Sequence, residues 1–260
     1  MKERIDLLLV ERRLVESRTK AQWLIKQGFV LVEGKKILKP SKRIDNILSI
    51  QLIKKFPYVG RGGLKLEVAL KEFSIDATGK ICADVGASVG GFTDCLLKHG
   101  ARKIYAIDKA FDILHPSLRC EKVNKCIIPV LGVDARNLIK LDEKVDICTI
   151  DLTFTSLKVV IPNIKSILKA EGDIIALVKP IFEIEFESNR KFKIIKDPQQ
   201  LYQILMGLFD WCSKNQFFIY NIIKSPLLGK EGAIEFFIHI RVKESNEKID
   251  FKKIVTEIII

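Results

Sequence analysis

Beyond residue 80 the sequence alternates short apolar runs with stretches of helical periodicity, and this alternation narrows the possible folds more than any other feature. The apolar runs fall at residues 81–85, 103–108, 126–133, 146–152, 173–178, 217–223 and 234–242. Helical stretches lie between them at 91–99, 116–121, 156–169 and 198–215, the last with Asp197 as N-cap and Pro198 at its first position. Strands separated by helices must be joined by crossovers, which predicts an α/β fold with a doubly wound, mostly parallel sheet. The last two runs are joined by Leu228-Gly229-Lys230-Glu231-Gly232 with no helical pattern, so these strands are expected to pair antiparallel at one edge.

The first 55 residues read differently. They hold 14 Lys or Arg against 6 Asp or Glu, a net charge of +8 (14 − 6) out of +12 for all 260 residues. Such asymmetry predicts a separate basic module. A helix is expected over 5–13, then a second over 18–27 with Ser17 as N-cap and Gly28 as its stop. A strand over 29–32 and the turn Glu33-Gly34 follow. Arg18, Lys20, Lys26, Lys35 and Lys36 cluster around the second helix and the turn, and with Arg4 and Arg61 they are the candidate contacts to RNA phosphates. The alternative is a solvated basic face. Pro57, Gly60, Gly62 and Gly63 mark a linker, so the expected organisation is an α+β RNA-binding domain over 1–55, a linker over 56–64 and the α/β domain over 65–260.

The first strand of the α/β part runs into Asp84-Val85-Gly86-Ala87-Ser88-Val89-Gly90-Gly91-Phe92-Thr93. Small residues there let the backbone approach a ligand closely before a helix begins. Asp108, 24 residues after Asp84, ends the next strand, where a carboxylate accepts from both hydroxyls of a ribose. The loop lacks the Gly-Lys-Ser/Thr ending of a phosphate-binding loop, so a cationic nucleoside, S-adenosylmethionine, is the expected cofactor. Asp84, Gly86, Ala87, Ser88, Gly90, Gly91 and Phe92 would form its cradle with Asp108. Asp134 is placed to accept from an adenine amino group, or else to cap the turn that starts at Ala135.

Lys65, Asp151, Lys179 and Glu235 stand in otherwise apolar contexts. In an open parallel sheet ligands bind outside the carboxyl ends of the strands, so Asp151 and Lys179 should share a crevice with the glycine loop. A structural network of two cations and two anions is the alternative.

Resemblance to known families adds to these readings. Arg4-Ile5-Asp6, Ser17-Arg18-Thr19-Lys20-Ala21 and Val30-Leu31-Val32-Glu33-Gly34 resemble the S4-type RNA-binding domain. Gly60-Arg61-Gly62-Gly63-Leu64-Lys65-Leu66, the glycine loop, Asp151-Leu152-Thr153-Phe154, Leu177-Val178-Lys179-Pro180-Ile181-Phe182-Glu183 and Ile234-Glu235-Phe236 resemble the TlyA (hemolysin A) family. The resemblance implies a Rossmann-like, FtsJ-type methyltransferase domain, S-adenosylmethionine as cofactor, ribosomal RNA or ribosomal subunits as partner, and 2′-O-methylation of cytidine ribose. It also implies that Lys65, Asp151, Lys179 and Glu235 form a catalytic Lys-Asp-Lys-Glu tetrad. Lys179 would then accept or steer the hydroxyl proton, with Lys65 stabilising developing oxyanion charge and the carboxylates orienting the ammonium groups.

This chain departs from the family pattern at Lys109-Ala110-Phe111-Asp112-Ile113, at Ile181 in place of a usual Gln, in the charged loop 184–196, and at Asp134 where Asn is common. A fold that binds RNA without turnover is therefore a competing class. A pore-forming cytolysin is a third, and the sequence offers no apolar stretch near the roughly 20 residues a spanning helix needs. Three distant histidines and six scattered cysteines give no metal-ligand spacing, and a cytoplasmic protein with reduced thiols is expected.

Overall fold

Residues 2–120, 125–138, 140–184, 194–244 and 249–259 are described by the computed structural model, and the chain divides into two units, Met1–Arg61 and Gly62–Ile260.

The first unit runs β1 (Lys2–Arg4), α1 (Ile5–Glu11), α2 (Arg18–Lys26), β2 (Val30–Val32), β3 (Lys35–Lys36), β4 (Arg43–Asp45) and β5 (Ile50–Leu52). Ser17 starts α2 by accepting from the Lys20 amide, and Glu33 and Gly34 turn β2 into β3 with φ values of 47° and 74°, the backbone that a two-residue hairpin turn demands. Ile5, Leu8 and Leu9 of α1 pack with Ala21, Leu24 and Ile25 of α2, all essentially without exposure. The three-residue strands β1, β4 and β5 carry no alternation long enough to be read from sequence.

The second unit runs α3 (Arg61–Glu72), β6 (Ile81–Val85), α4 (Gly91–Lys98), β7 (Lys103–Asp108), β8 (Ile127–Leu131), β9 (Val145–Ile150), α5 (Leu157–Ile167), β10 (Leu168–Val178), α6 (Pro180–Glu183), α7 (Pro198–Lys214), β11 (Phe218–Lys224), β12 (Phe236–Arg241) and α8 (Phe251–Ile259). Seven strands form one sheet in the order β11-β12-β10-β9-β6-β7-β8. The strands from β8 to β10 are parallel. The antiparallel member is β12, which pairs with β10 on one side and β11 on the other. It therefore lies second from the edge, and the edge strand β11 runs with the parallel set. The reason is connectivity: α7 carries the chain past one strand width, and β12 returns through a hairpin to fill the gap.

Three local expectations change. The helix expected over 116–121 is a 3₁₀ turn at Pro116–Leu118, and Glu121 lies outside the described residues. The helix expected to reach 169 gives way to β10 at Leu168. Part of the expected linker is the start of α3, whose Gly62 and Gly63 punctuate the sequence like a loop. The α7 cap forms as read, with Asp197 accepting from the Gln200 amide at 3.0 Å. Leu201, Leu205, Leu208 and Cys212 of that helix are buried at helical spacing against the sheet core.

Candidate active site

Strand β6 pairs with β7 on one side and β9 on the other, so the chain leaves it in opposite directions. That switch point is where an open α/β sheet forms a crevice. A cleft of about 560 Å³ lies there, lined by Gly86, Ser88 and Asp108, by Asp134 and Arg136, and by Asp151–Thr155 with Lys179.

Gly86 has φ 87°, and a Cβ at this position would collide with the carbonyl of Asp151. Only glycine lets the loop pass this close to the end of β9. The loop is pinned by the Gly86 and Ala87 amides, which donate to the Ile107 carbonyl at 2.9 and 3.0 Å. Of the expected cradle, Gly86 and Ser88 line the cleft. Ala87, Gly90, Gly91 and Phe92 are buried, and Phe92 packs on Phe237 with ring centroids 5.9 Å apart. Asp84 is fully buried. Its carboxylate accepts from Thr93 Oγ1 at 2.6 Å and Thr149 Oγ1 at 3.1 Å, so it braces the loop from behind. Burial pushes its carboxyl up to about 6 and the nearby Asp151 adds to this, against the two hydroxyl hydrogen bonds.

Asp108 lines the cleft and accepts from the Ser88 amide at 2.8 Å and from the Ala110 amide at 2.8 Å. Those bonds aim the carboxylate and leave acceptor capacity for a ligand hydroxyl. Asp134 does cap the following turn, accepting from the Arg136 amide at 3.0 Å. The Arg136 guanidinium holds both its oxygens, at 3.0 and 2.6 Å, and Lys109 lies 3.3 Å away. These cations keep its carboxyl well below the usual carboxylate range, Arg136 most of all. Sequence reasoning gave Lys109 and Arg136 no role at the site, and the departure from the family pattern at Lys109 was the available signal. A nucleoside with a ribose at Gly86, Ser88 and Asp108 fits this end of the cleft, whereas its base would share Asp134 with Arg136.

At the other end Lys179 Nζ lies 2.5 Å from Asp151 Oδ1. The approach is off the line of a hydrogen bond, and among the described residues Oδ1 has no aligned hydrogen-bond partner. Lys65 of α3 lies 2.5 Å from Glu235 Oε2, both side chains being largely buried. A Cβ on Gly229 would strike this carboxylate, so glycine in the β11–β12 connection makes room for it. The four tetrad candidates thus form two separate ion pairs: Asp151 and Lys179, at the ends of β9 and β10, line the cleft, whereas Lys65 on α3 and Glu235 before β12 pair with each other and are not among its lining residues. Phe154, 73% exposed with φ 59°, stands at the mouth beside Asp151. Within the Asp151-Leu152-Thr153-Phe154 motif the sequence alone gave it no role.

In the first unit the candidate RNA-binding cations divide. Arg4 and Arg18 both bind Asp6, which has no exposure: Arg4 Nε and Nη2 donate at 2.9 Å and Arg18 Nε at 2.9 Å. Lys20 is buried, paired with Glu16 and set over the Phe56 ring. Three of the seven candidates are therefore engaged within the unit, because their ammonium and guanidinium groups have nearby carboxylates. Lys26, Lys35, Lys36 and Arg61 are exposed.

The fold is an open α/β sheet with a ligand-sized cleft at its switch point. Residues 58–242 match the FtsJ-like methyltransferase family and residues 3–47 match the S4 domain, and the chain belongs to the FtsJ-like methyltransferase family. It is 36% identical over 236 residues to hemolysin A of Brachyspira hyodysenteriae, covering 91% of this chain and 98% of that protein. It is 31% identical over 244 residues to the 16S/23S rRNA (cytidine-2′-O)-methyltransferase TlyA of Mycobacterium tuberculosis, covering 92% and 90%. A solved structure of a hemolysin from Streptococcus thermophilus is 31% identical with a TM-score of 0.72, covering 99% of this chain and 94% of that one. Among the described residues no helix is long and apolar enough to cross a membrane.

Proposed function

We propose that this protein transfers a methyl group from S-adenosylmethionine to the 2′-hydroxyl of cytidine in ribosomal RNA, acting in the cytoplasm on ribosomal subunits or their RNA. The observation that carries the reading is the Lys179–Asp151 pair at the carboxyl ends of adjoining parallel strands, in the same cleft as the glycine loop and Asp108. Family membership and the names of the relatives support the substrate class.

S-adenosylmethionine, when bound, supplies an electrophilic methyl group. Gly86 and Ser88 would hold it through the close backbone, and Asp108 through its remaining acceptor capacity. A ribose hydroxyl is a poor nucleophile at neutral pH, so the site must orient it and receive its proton. Lys179 would do this at Nζ as a neutral amine, taking up the hydroxyl proton to become an ammonium, and Asp151 would orient that nitrogen and hold the charge that results. Lys65, held by Glu235, would supply positive charge where oxyanion character develops. Residues 1–55 would bind RNA as a separate domain, the exposed Lys26, Lys35 and Lys36 meeting phosphates, with the exposed Arg61 at the start of α3 as a further contact.

Mapping ribose methylation in rRNA with and without the protein tests the reaction. In single turnover, Lys179→Ala should slow methylation by about 10²-fold or more, the usual scale for a positioned proton-transfer group, with the rate referred to folded, cofactor-bound protein. A stable variant with full rate would remove Lys179 from the mechanism. Absence of any methylated ribose with the wild type would overturn the reaction itself.

A further inference from the structure

The Lys179–Asp151 contact is one of three rungs between the same two segments. Residues 151–157 leave β9 and enter α5, and residues 179–183 leave β10 through α6. At the cleft Lys179 meets Asp151 at 2.5 Å. Next along, the rings of Phe154 and Phe182 lie 5.3 Å apart at 51°. At the inner end Glu183, 8% exposed, accepts from Ser156 Oγ at 2.6 Å and from the Leu157 amide at 2.9 Å. Ser156 Oγ in turn accepts from the Lys158 amide at 3.2 Å.

Neither segment has extended secondary structure of its own to hold it. Phe154 has a positive φ, and α6 is a single turn of four residues. Burying a carboxylate is unfavourable unless donors replace its water, and burial pushes the Glu183 carboxyl above the usual glutamate range despite the two bonds. Helix α5 already has Ser156 as its own N-cap. A buried glutamate arriving from a different strand is therefore more than the helix end requires. What it adds is a tie between the exits of β9 and β10.

We infer that Glu183 is a positioning residue for methyl transfer: through Ser156 and Leu157 it fixes the exit of β10, and with it Lys179, against the exit of β9 that carries Asp151. The inference rests on the function proposed above for its kinetic readout, and on Lys179 chemistry for a second readout that needs no turnover.

The test compares the full-length wild type with Glu183→Ala, Glu183→Gln and Ser156→Ala. Glu183→Ala should slow single-turnover methylation by about 10-fold to 100-fold, the scale of a small misplacement of reacting groups, with dissociation constants for S-adenosylmethionine and RNA within about twofold of wild type. Glu183→Gln keeps an acceptor for the Leu157 amide and should recover most of the rate, while Ser156→Ala should fall between. Independently, brief acylation read by mass spectrometry should show Lys179 labelled several-fold more in Glu183→Ala, relative to the other lysines. Full rate with unchanged labelling in Glu183→Ala overturns the inference, as does a rate reduction matched by equal reductions in binding and folded protein. If Glu183→Ala fails to fold, wild-type rate and labelling in Ser156→Ala overturn it. If the wild type transfers no methyl group, the functional reading fails and the labelling alone decides the tie.

Discussion

Asp6 in the N-terminal unit and Asp84 in the C-terminal unit are both withdrawn from water, yet they are held by different kinds of donor. Asp6 takes three hydrogen bonds from two guanidinium groups and one from the Gln22 amide at 2.9 Å. Asp84 accepts from the hydroxyls of Thr93 and Thr149 and from the Thr93 amide, all uncharged donors, with the charge of Asp151 nearby. The Asp6 carboxyl is accordingly held far below the usual range, chiefly by Arg4, while Asp84 rises to about 6, chiefly by burial. Both carboxylates are shielded from solvent, but Asp84 lies deeper, on a central strand of the sheet, and lacks cationic donors, so depth and donor charge together give the two opposite proton affinities. The first site is a finished structural hub. The second is a brace under a loop that carries negative charge only at some cost to stability.

The largest expected effect is the loss of the Asp6 hub. Asp6→Ala should destabilise the N-terminal unit by about 3 kcal/mol, since several charge-assisted hydrogen bonds worth about 1.5 to 3 kcal/mol each are lost and water partly replaces them at the half-exposed Arg4 and Arg18. The chain has two tryptophans, Trp23 and Trp211, so in a Trp211→Phe background the fluorescence of Trp23 reports this unit alone during denaturation. Because the folded Asp6 binds its proton more weakly than the unfolded chain does, its stabilising contribution is present above about pH 4 and is lost as pH falls below that. An unchanged denaturation midpoint would show that Arg4 and Arg18 are not held by Asp6.

Asp84 should give a somewhat smaller effect of the opposite sign. Its folded carboxyl binds a proton near pH 6 and its unfolded one near about 3.9, so its contribution to stability is fully present below about pH 4 and falls by about 1 to 3 kcal/mol as pH rises through 6. Asp84→Asn removes this dependence. In a Trp23→Phe background, the stability of the variant relative to wild type should therefore rise with pH between 4 and 7. A constant difference across that window would mean that Asp84 is ionised throughout, and the contrast with Asp6 would disappear.

The contrast also explains how much of the molecule was legible in its sequence. Strands β6, β7, β9 and β10 announce themselves because buried parallel strands read as continuous apolar runs, and Asp151 and Lys179 stand out because they end such runs. Asp84 was legible as part of the loop, but whether its side chain faces a ligand or the threonines behind it depends on Thr149, 65 residues away. Arg4, Arg18 and Lys20 were legible as cations. Their partners Asp6 and Glu16 lie close in sequence, yet nothing in the local pattern shows that α1 and α2 bring Asp6 between two arginines. Glu183 falls within a family motif but shows no task there, since its partners Ser156 and Leu157 come from another strand's exit. Helix α3 was hidden by its glycines, which read as a linker.

The smallest expected effect concerns the cations that the hub leaves over. With Arg4 and Arg18 on Asp6 and Lys20 on Glu16, substitutions there act on folding as well as on charge. Lys35 and Lys36 are exposed on β3, beyond the Glu33-Gly34 turn, and should act through charge alone. Removing one lysine–phosphate interaction makes the slope of log affinity against log salt shallower by about 0.7 to 1. Lys35→Ala and Lys36→Ala should each weaken RNA binding several-fold at low salt, uniformly across RNA sequences, with the melting midpoint of the Trp23 signal unchanged. Arg18→Ala should lower that midpoint together with the affinity. Filter binding over a salt series beside the melting curves separates the two behaviours. If Lys35→Ala and Lys36→Ala leave the slope intact while a folded Arg18→Ala makes it shallower, then Arg18 reaches RNA from the hub and the division between structural and phosphate-binding cations is wrong.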